Sequence, residues 1–192
     1  MPDTTRLDAL HELAHRIRTL NDALVEIAAV LRKPAQVGHA GEFIASIIFD
    51  IDLHGSAAHK DHDGHFNARS PLAGKTVNIK WGTRDEGGMD LSRTAVFDHL
   101  LVLLGPRATA AVVASNHRPW LISSVYLFDP SEVIRALSAS GVGVGVASSV
   151  RRYRWDAAMV YPQANNPRLP LTDEQRSLLT LFAPLPLTAE PA

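Results

Sequence analysis

The sequence predicts a single α/β domain over residues 1–192, with a mixed central β-sheet flanked by helices and a long N-terminal helix. Three observations lead there. Residues 5–32 repeat apolar side chains at helical spacing. The runs 76–81 and 97–104 show, in turn, the alternation of a half-buried strand and the continuous apolar character of a central one. Helix-start signals at 129–131 and 172–175 are interleaved with further strand-like runs. A length of 192 residues is enough for one sizeable core and hardly two.

Composition narrows the function classes. Hydrophobic residues make up 46% and charged residues 20%, as in an ordinary globular domain. The formal net charge is -1, so a nucleic-acid surface would have to be a local patch. Cysteine is absent, which excludes disulfides and thiolate zinc sites and fits a reducing compartment. The opening MPDTTRLDALHELAHR has no apolar signal core, and no run approaches membrane-spanning length. The expectation is a cytoplasmic protein with no membrane contact.

In chain order, Leu7, Leu10, Leu13, Ile17, Leu20, Leu24, Ile27 and Leu31 form one apolar helix face. Thr4 or Thr5 can cap this helix and Pro34 stops it, which makes 1–34 the N-terminal helical segment. Its unusual length leaves it lying across the domain or pairing with a second subunit as a homodimer. A second helix runs from Gly38 to about Phe49, with Glu42 beside its buried face. Residues 54–75 are polar and irregular and hold His54, His59, Asp61, His62, Asp63 and His65. Gly74-Lys75 then turns the chain into the strand Thr76–Trp81, where Asn78 and Lys80 share one face against Val77, Ile79 and Trp81.

The segment 82–93 reads as a charged loop, 109–115 and 121–128 as strands, and 132–138 as a helix opened by Asp129-Pro130-Ser131. Gly141, Gly143 and Gly145 lack the third glycine of a dinucleotide fingerprint and read as a turn. RRYRW, 151–155, reads as a strand placing Arg152 and Arg154 on one face, continued by 157–161. Thr172 caps a final helix over 174–182, within the segment 171–183, and 184–192 is read as a flexible tail.

Glu42 on a helix, Asp63 before a strand and the Asn78-x-Lys80 pair together suggest a metal-dependent phosphodiesterase centre. Each also has a plainer reading. Glu42 suits the helix dipole, Asp63-Gly64 is a hairpin-turn signal, and Lys80 can snorkel from a strand end.

The order of these residues resembles the PD-(D/E)XK nuclease superfamily, with its restriction-endonuclease-like fold. Glu42, Asp63 and the V-N-I-K motif ending at Lys80 carry the resemblance, and the FDHLLVLL run is similar to the next core strand. It covers the middle third of the chain, makes 38–163 a nuclease-like core, and extends to small uncharacterised bacterial domains of that superfamily. The resemblance implies an endonuclease acting on nucleic acid, DNA foremost, with Mg²⁺ or Mn²⁺ held by Asp63, Glu42 and the Ile79 carbonyl. It makes Lys80 the residue that positions the nucleophile and offsets charge on the phosphate.

Asn78 departs from the pattern, because the family usually carries Glu or Asp there. The departure leaves two outcomes, a weakened nuclease or a catalytically inactive nucleic-acid-binding or protein-interaction module. Arg84, Lys75, Arg152 and Arg154 are candidate contacts to nucleic acid. A zinc hydrolase resembling the metallo-β-lactamases is a further alternative. His59, Asp61 and His62 match its H-x-H-x-D-H motif, but Ala57 stands where the first histidine should be.

Overall fold

The computed structural model describes residues 4–55, 62–91, 96–107, 118–143, 145 and 148–184. The strand expected at 109–115 and most of the tail lie outside these residues. The chain divides into two units, Met1–Ala40 and Gly41–Ala192. The first contains helix α1 (Thr4–Leu31), 28 residues long as its periodicity predicts, and the first residues of α2 (Val37–Ile48). Among the described residues no helix is long and apolar enough to cross a membrane.

The second unit holds strands β1 (Ile51–Leu53), β2 (Gly64–Phe66), β3 (Thr76–Gly82), β4 (Gly88–Met89), β5 (His99–Leu104), β6 (Ser124–Phe128), β7 (Ser148–Ser149) and β8 (Met159–Tyr161). Its remaining helices are α3 (Pro130–Ala139), α4 (Arg152–Ala158) and α5 (Asp173–Thr180). Six strands make one mixed sheet in the order β1-β2-β3-β5-β6-β8, and β4 and β7 pair separately. Every pairing in the large sheet is antiparallel except β3 with β5. The mixed α/β class predicted from sequence is therefore the one observed.

Strand alternation sorts the core into two layers. Val77, Ile79, Leu101, Leu103, Val125 and Leu127 pack on one face with Ile44, Ala45 and Ile48 of α2 and Leu179 of α5. Leu100, Val102, Tyr126 and Phe128 pack on the other with Val133 and Leu137 of α3 and Trp155 of α4. All six residues of β5 are buried, which explains the unbroken apolar run that announced it. Local signals set the helix ends. Asp129 caps α3 by accepting the Glu132 N–H, and Thr172 with Gln175 forms a reciprocal capping box on α5. After α2, Asp50 takes a left-handed φ of 57°, and its carbonyl accepts the Asn67 N–H at 2.8 Å.

One expectation fails outright. RRYRW does not form a strand, because Arg152–Ala158 is helix α4. Trp155 and Ala158, three apart, are its buried face, and Arg152 bonds Asp156 four residues on at 3.0 Å. Arg152 and Arg154 therefore do not share a strand face.

The start of the parallel pair is pinned by Asp98. Its carboxylate accepts the Thr76 N–H at 2.9 Å, the Thr76 hydroxyl at 3.0 Å and Lys75 Nζ at 3.1 Å. These bonds, the backbone one foremost, hold the Asp98 carboxyl below the usual aspartate range. A depressed carboxyl stabilises the fold above its unfolded pKa, and that stabilisation is lost as pH falls through its folded pKa. Asp98→Ala should cost about 1 kcal/mol at pH 7, given the partial exposure of the group. Urea melts of both proteins at descending pH should show the difference shrinking through the acid range.

Candidate functional site

The site lies just before β2 begins. Only Gly64 and His65 pair with β3, opposite Val77 and Thr76. Beyond them Asp63 donates its N–H to the Val77 carbonyl at 3.0 Å, and its Oδ2 accepts the Ile79 N–H at 2.6 Å. The carboxylate thus satisfies a β3 donor where no strand continues. Ile79 turns its N–H, and with it its carbonyl, toward this edge. Gly64 is buried within the strand, and a Cβ there would run into the Asp52 carbonyl. The reading of Asp63-Gly64 as the hairpin turn is therefore corrected. The turn lies at 67–75 and uses Gly74 at φ 78°.

Asn78 and Lys80 alternate with buried Val77 and Ile79, Asn78 half-buried and Lys80 exposed. Their register partners on β5 are Leu100 and Val102, both in the second core layer. The pair stands on that face where it opens to solvent. Glu42, half-buried, follows Gly41 on α2. A Cβ at Gly41 would lie 3.0 Å from the Trp81 Cβ, so glycine lets this helical turn settle on the far end of β3.

Electrostatics ties these groups together. Burial pushes the Asp63 carboxyl above the ordinary aspartate range, and Glu42 adds to the shift. The Ile79 N–H, Lys80 and His62 oppose it without cancelling it. Glu42 and Lys80 are thus within electrostatic reach of Asp63, and His62 precedes it in the chain. Two carboxylates and an outward-facing carbonyl at Ile79 are oxygen donors suited to a hard divalent cation. Among the described residues no group of three or more His, Asp or Glu gathers closely enough to hold a metal by itself.

His54, absent from the sequence-derived site, belongs beside it. Its N–H donates to the Asp63 carbonyl at 2.9 Å, and its Nε2 lies 2.9 Å from His62 Nε2. One ring donates and the other accepts, so the pair shares a single N–H. His65 is exposed, with Nε2 3.8 Å from Asp52 Oδ2. Of the zinc motif, His59 and Asp61 lie outside the described residues. The Nε2 of His62 is engaged by His54.

The four candidate cations are more scattered. Lys75 pairs with Asp98 at 3.1 Å, and Arg152 with Asp156 at 3.0 Å and Asp85 at 3.5 Å. Arg154 stacks its guanidinium 5.2 Å above the Tyr153 ring and lines a cavity of about 370 Å³ with Asp129, Glu132 and Arg168. Arg84 is half-buried in the segment after β3.

The raised Asp63 carboxyl carries a stability consequence. Between the ordinary aspartate pKa and its own, the folded state binds more protons than the unfolded one, so stability falls as pH rises through that window. Asp63→Asn keeps an oxygen for the Ile79 N–H and removes the buried charge. In chelator at pH 7 the variant should melt above wild type, and the gap should close as pH is lowered toward the ordinary aspartate range. Added Mg²⁺ should raise the melting temperature of wild type alone. Thermal melts with and without the ion test both statements.

No protein-family model matches the chain, and no match is found among curated proteins.

Proposed function

We propose that the chain is a metal-dependent nucleic-acid phosphodiesterase, an endonuclease acting on DNA, of the restriction-endonuclease-like type. The observation that supports this best is the grouping of Asp63 with Glu42 and Lys80, fixed to β3 by the Asp63–Ile79 bond. Asp63, Glu42 and the Ile79 carbonyl would hold Mg²⁺ or Mn²⁺. When bound, the ion lowers the pKa of water and polarises the phosphate. The parallel neighbour of β3, formed by the HLLVLL run, is in keeping with the resemblance.

The chain's own residues have separable tasks. Asp63 holds its geometry through the Ile79 N–H, which leaves its second oxygen for a ligand. Lys80, exposed beyond the apolar part of β3, supplies positive charge to the attacked phosphate and orients the nucleophile. Asn78 offers an uncharged carbonyl oxygen, so cation affinity rests on two carboxylates. A second reading, an inactive nucleic-acid-binding module, is favoured by that same residue. Double-strand cleavage would need two such centres, which a homodimer supplies.

Nicking of supercoiled plasmid in Mg²⁺ or Mn²⁺ tests the proposal. Lys80→Ala and Asp63→Ala should each lower the rate by roughly 10²-fold or more while the protein stays folded. Asn78→Asp should lower the Mg²⁺ concentration needed for half-maximal rate. Binding without metal-dependent nicking, in wild type and Asn78→Asp alike, would select the inactive module instead.

A further inference from the structure

Helix α1 carries a feature that the nuclease reading leaves unused. Leu10, Leu13, Ile17, Leu20, Leu24, Ile27 and Leu31 succeed one another at strict alternating spacings of three and four. That is the a/d pattern of a coiled coil, sustained over three heptads, and narrower than the face of an ordinary core helix. These residues are all aliphatic; Leu10, Leu13, Ile17 and Leu20 are 56, 55, 46 and 56% exposed, and Leu24, Ile27 and Leu31 are half-buried. A folded chain in water rarely leaves such a row uncovered.

We infer that α1 pairs through this seam with α1 of a second copy of the chain, in a two-stranded coiled coil. Three properties favour an identical partner. The seam is continuous and self-similar, so the same knobs and holes recur on each helix. Of the positions flanking it (Ala9, Ala14, Arg16, Asn21, Ala23, Ala28 and Val30), Arg16 alone is charged, so an identical helix brings no row of like charge opposite. Covering roughly 60–120 Å² on each of the eight exposed seam side chains, and about half that on the six half-buried ones, gives on the order of 1,000 Å², at the low end of specific interfaces. The inference stands apart from the chemistry proposed at Asp63.

Sedimentation equilibrium of the full chain at micromolar concentration tests it. Wild type should have twice the 20.9 kDa chain mass. Ile17→Glu and Leu20→Glu should raise the dimer dissociation constant at least ~100-fold. Leu20→Ala, which preserves helix propensity, should raise it roughly tenfold or more. Val25→Glu changes a 69% exposed residue outside the seam and should leave it within about threefold. A wild-type chain that sediments as one copy, or as more than two, overturns the inference. So does a set in which Leu20→Ala dimerises as wild type does, or in which Val25→Glu is as disruptive as the seam changes.

Discussion

The hydrogen bond from the Ile79 N–H to the Asp63 carboxylate is the constraint around which the candidate site is arranged. Strand β3 is paired from Val77 to Gly82 by β5 on one side, but β2 accompanies it on the other for only two residues. A half-buried backbone donor at Ile79 would otherwise lack a partner, at a cost of about 1–3 kcal/mol. Asp63 supplies that partner and is drawn out of water in doing so. The same contact therefore fixes the carboxylate in place and makes its charge expensive. Burial, with Glu42 adding to it, keeps this carboxyl above the ordinary aspartate range.

Asn78 acquires a physical meaning in this setting. Its face of the sheet is elsewhere lined by Leu100, Val102, Tyr126 and Phe128. A carboxylate at this half-buried position would add its own desolvation, which a neutral amide avoids. Under the proposed function the same amide, lacking charge, would hold a cation more weakly than a carboxylate. Under that reading, stability without an ion and affinity for one are opposed at this position.

Elements with local signals were legible in the sequence. The periodicity of α1, the alternation in β3, the apolar run of β5 and the caps at Asp129 and Thr172 each depend on residues close in the chain. Strands β1 and β2, three residues each, have no such signal, because their pairing joins segments separated by ten residues in the chain and depends on the pairing of β2 with β3. The His54–His62 contact depends on the same pairing, so spacing could not reveal it. In α4 a real signal was present and outweighed. The alternation R-Y-R-W imitates a strand, whereas Arg152 and Asp156 four apart, with Trp155 and Ala158 on one side, obey the helical period. Asp63 was legible as a candidate, but its bond to Ile79 was not.

The scatter of the cations does not by itself oppose the proposed nucleic-acid partner. Lys75 and Arg152 are engaged with Asp98, Asp85 and Asp156, yet both side chains are more than half exposed. Exposed pairs of this kind are worth about 0–1 kcal/mol, so exchanging a carboxylate for a phosphate costs little. Such contacts bring released counterions as their driving force and carry no sequence information. With a net charge of -1, the chain has no long-range field to gather nucleic acid. Under the proposed function, affinity would then rest on a few short-range phosphate contacts and on the doubling of sites in a dimer. It would fall steeply with salt, and more steeply for two linked centres than for one.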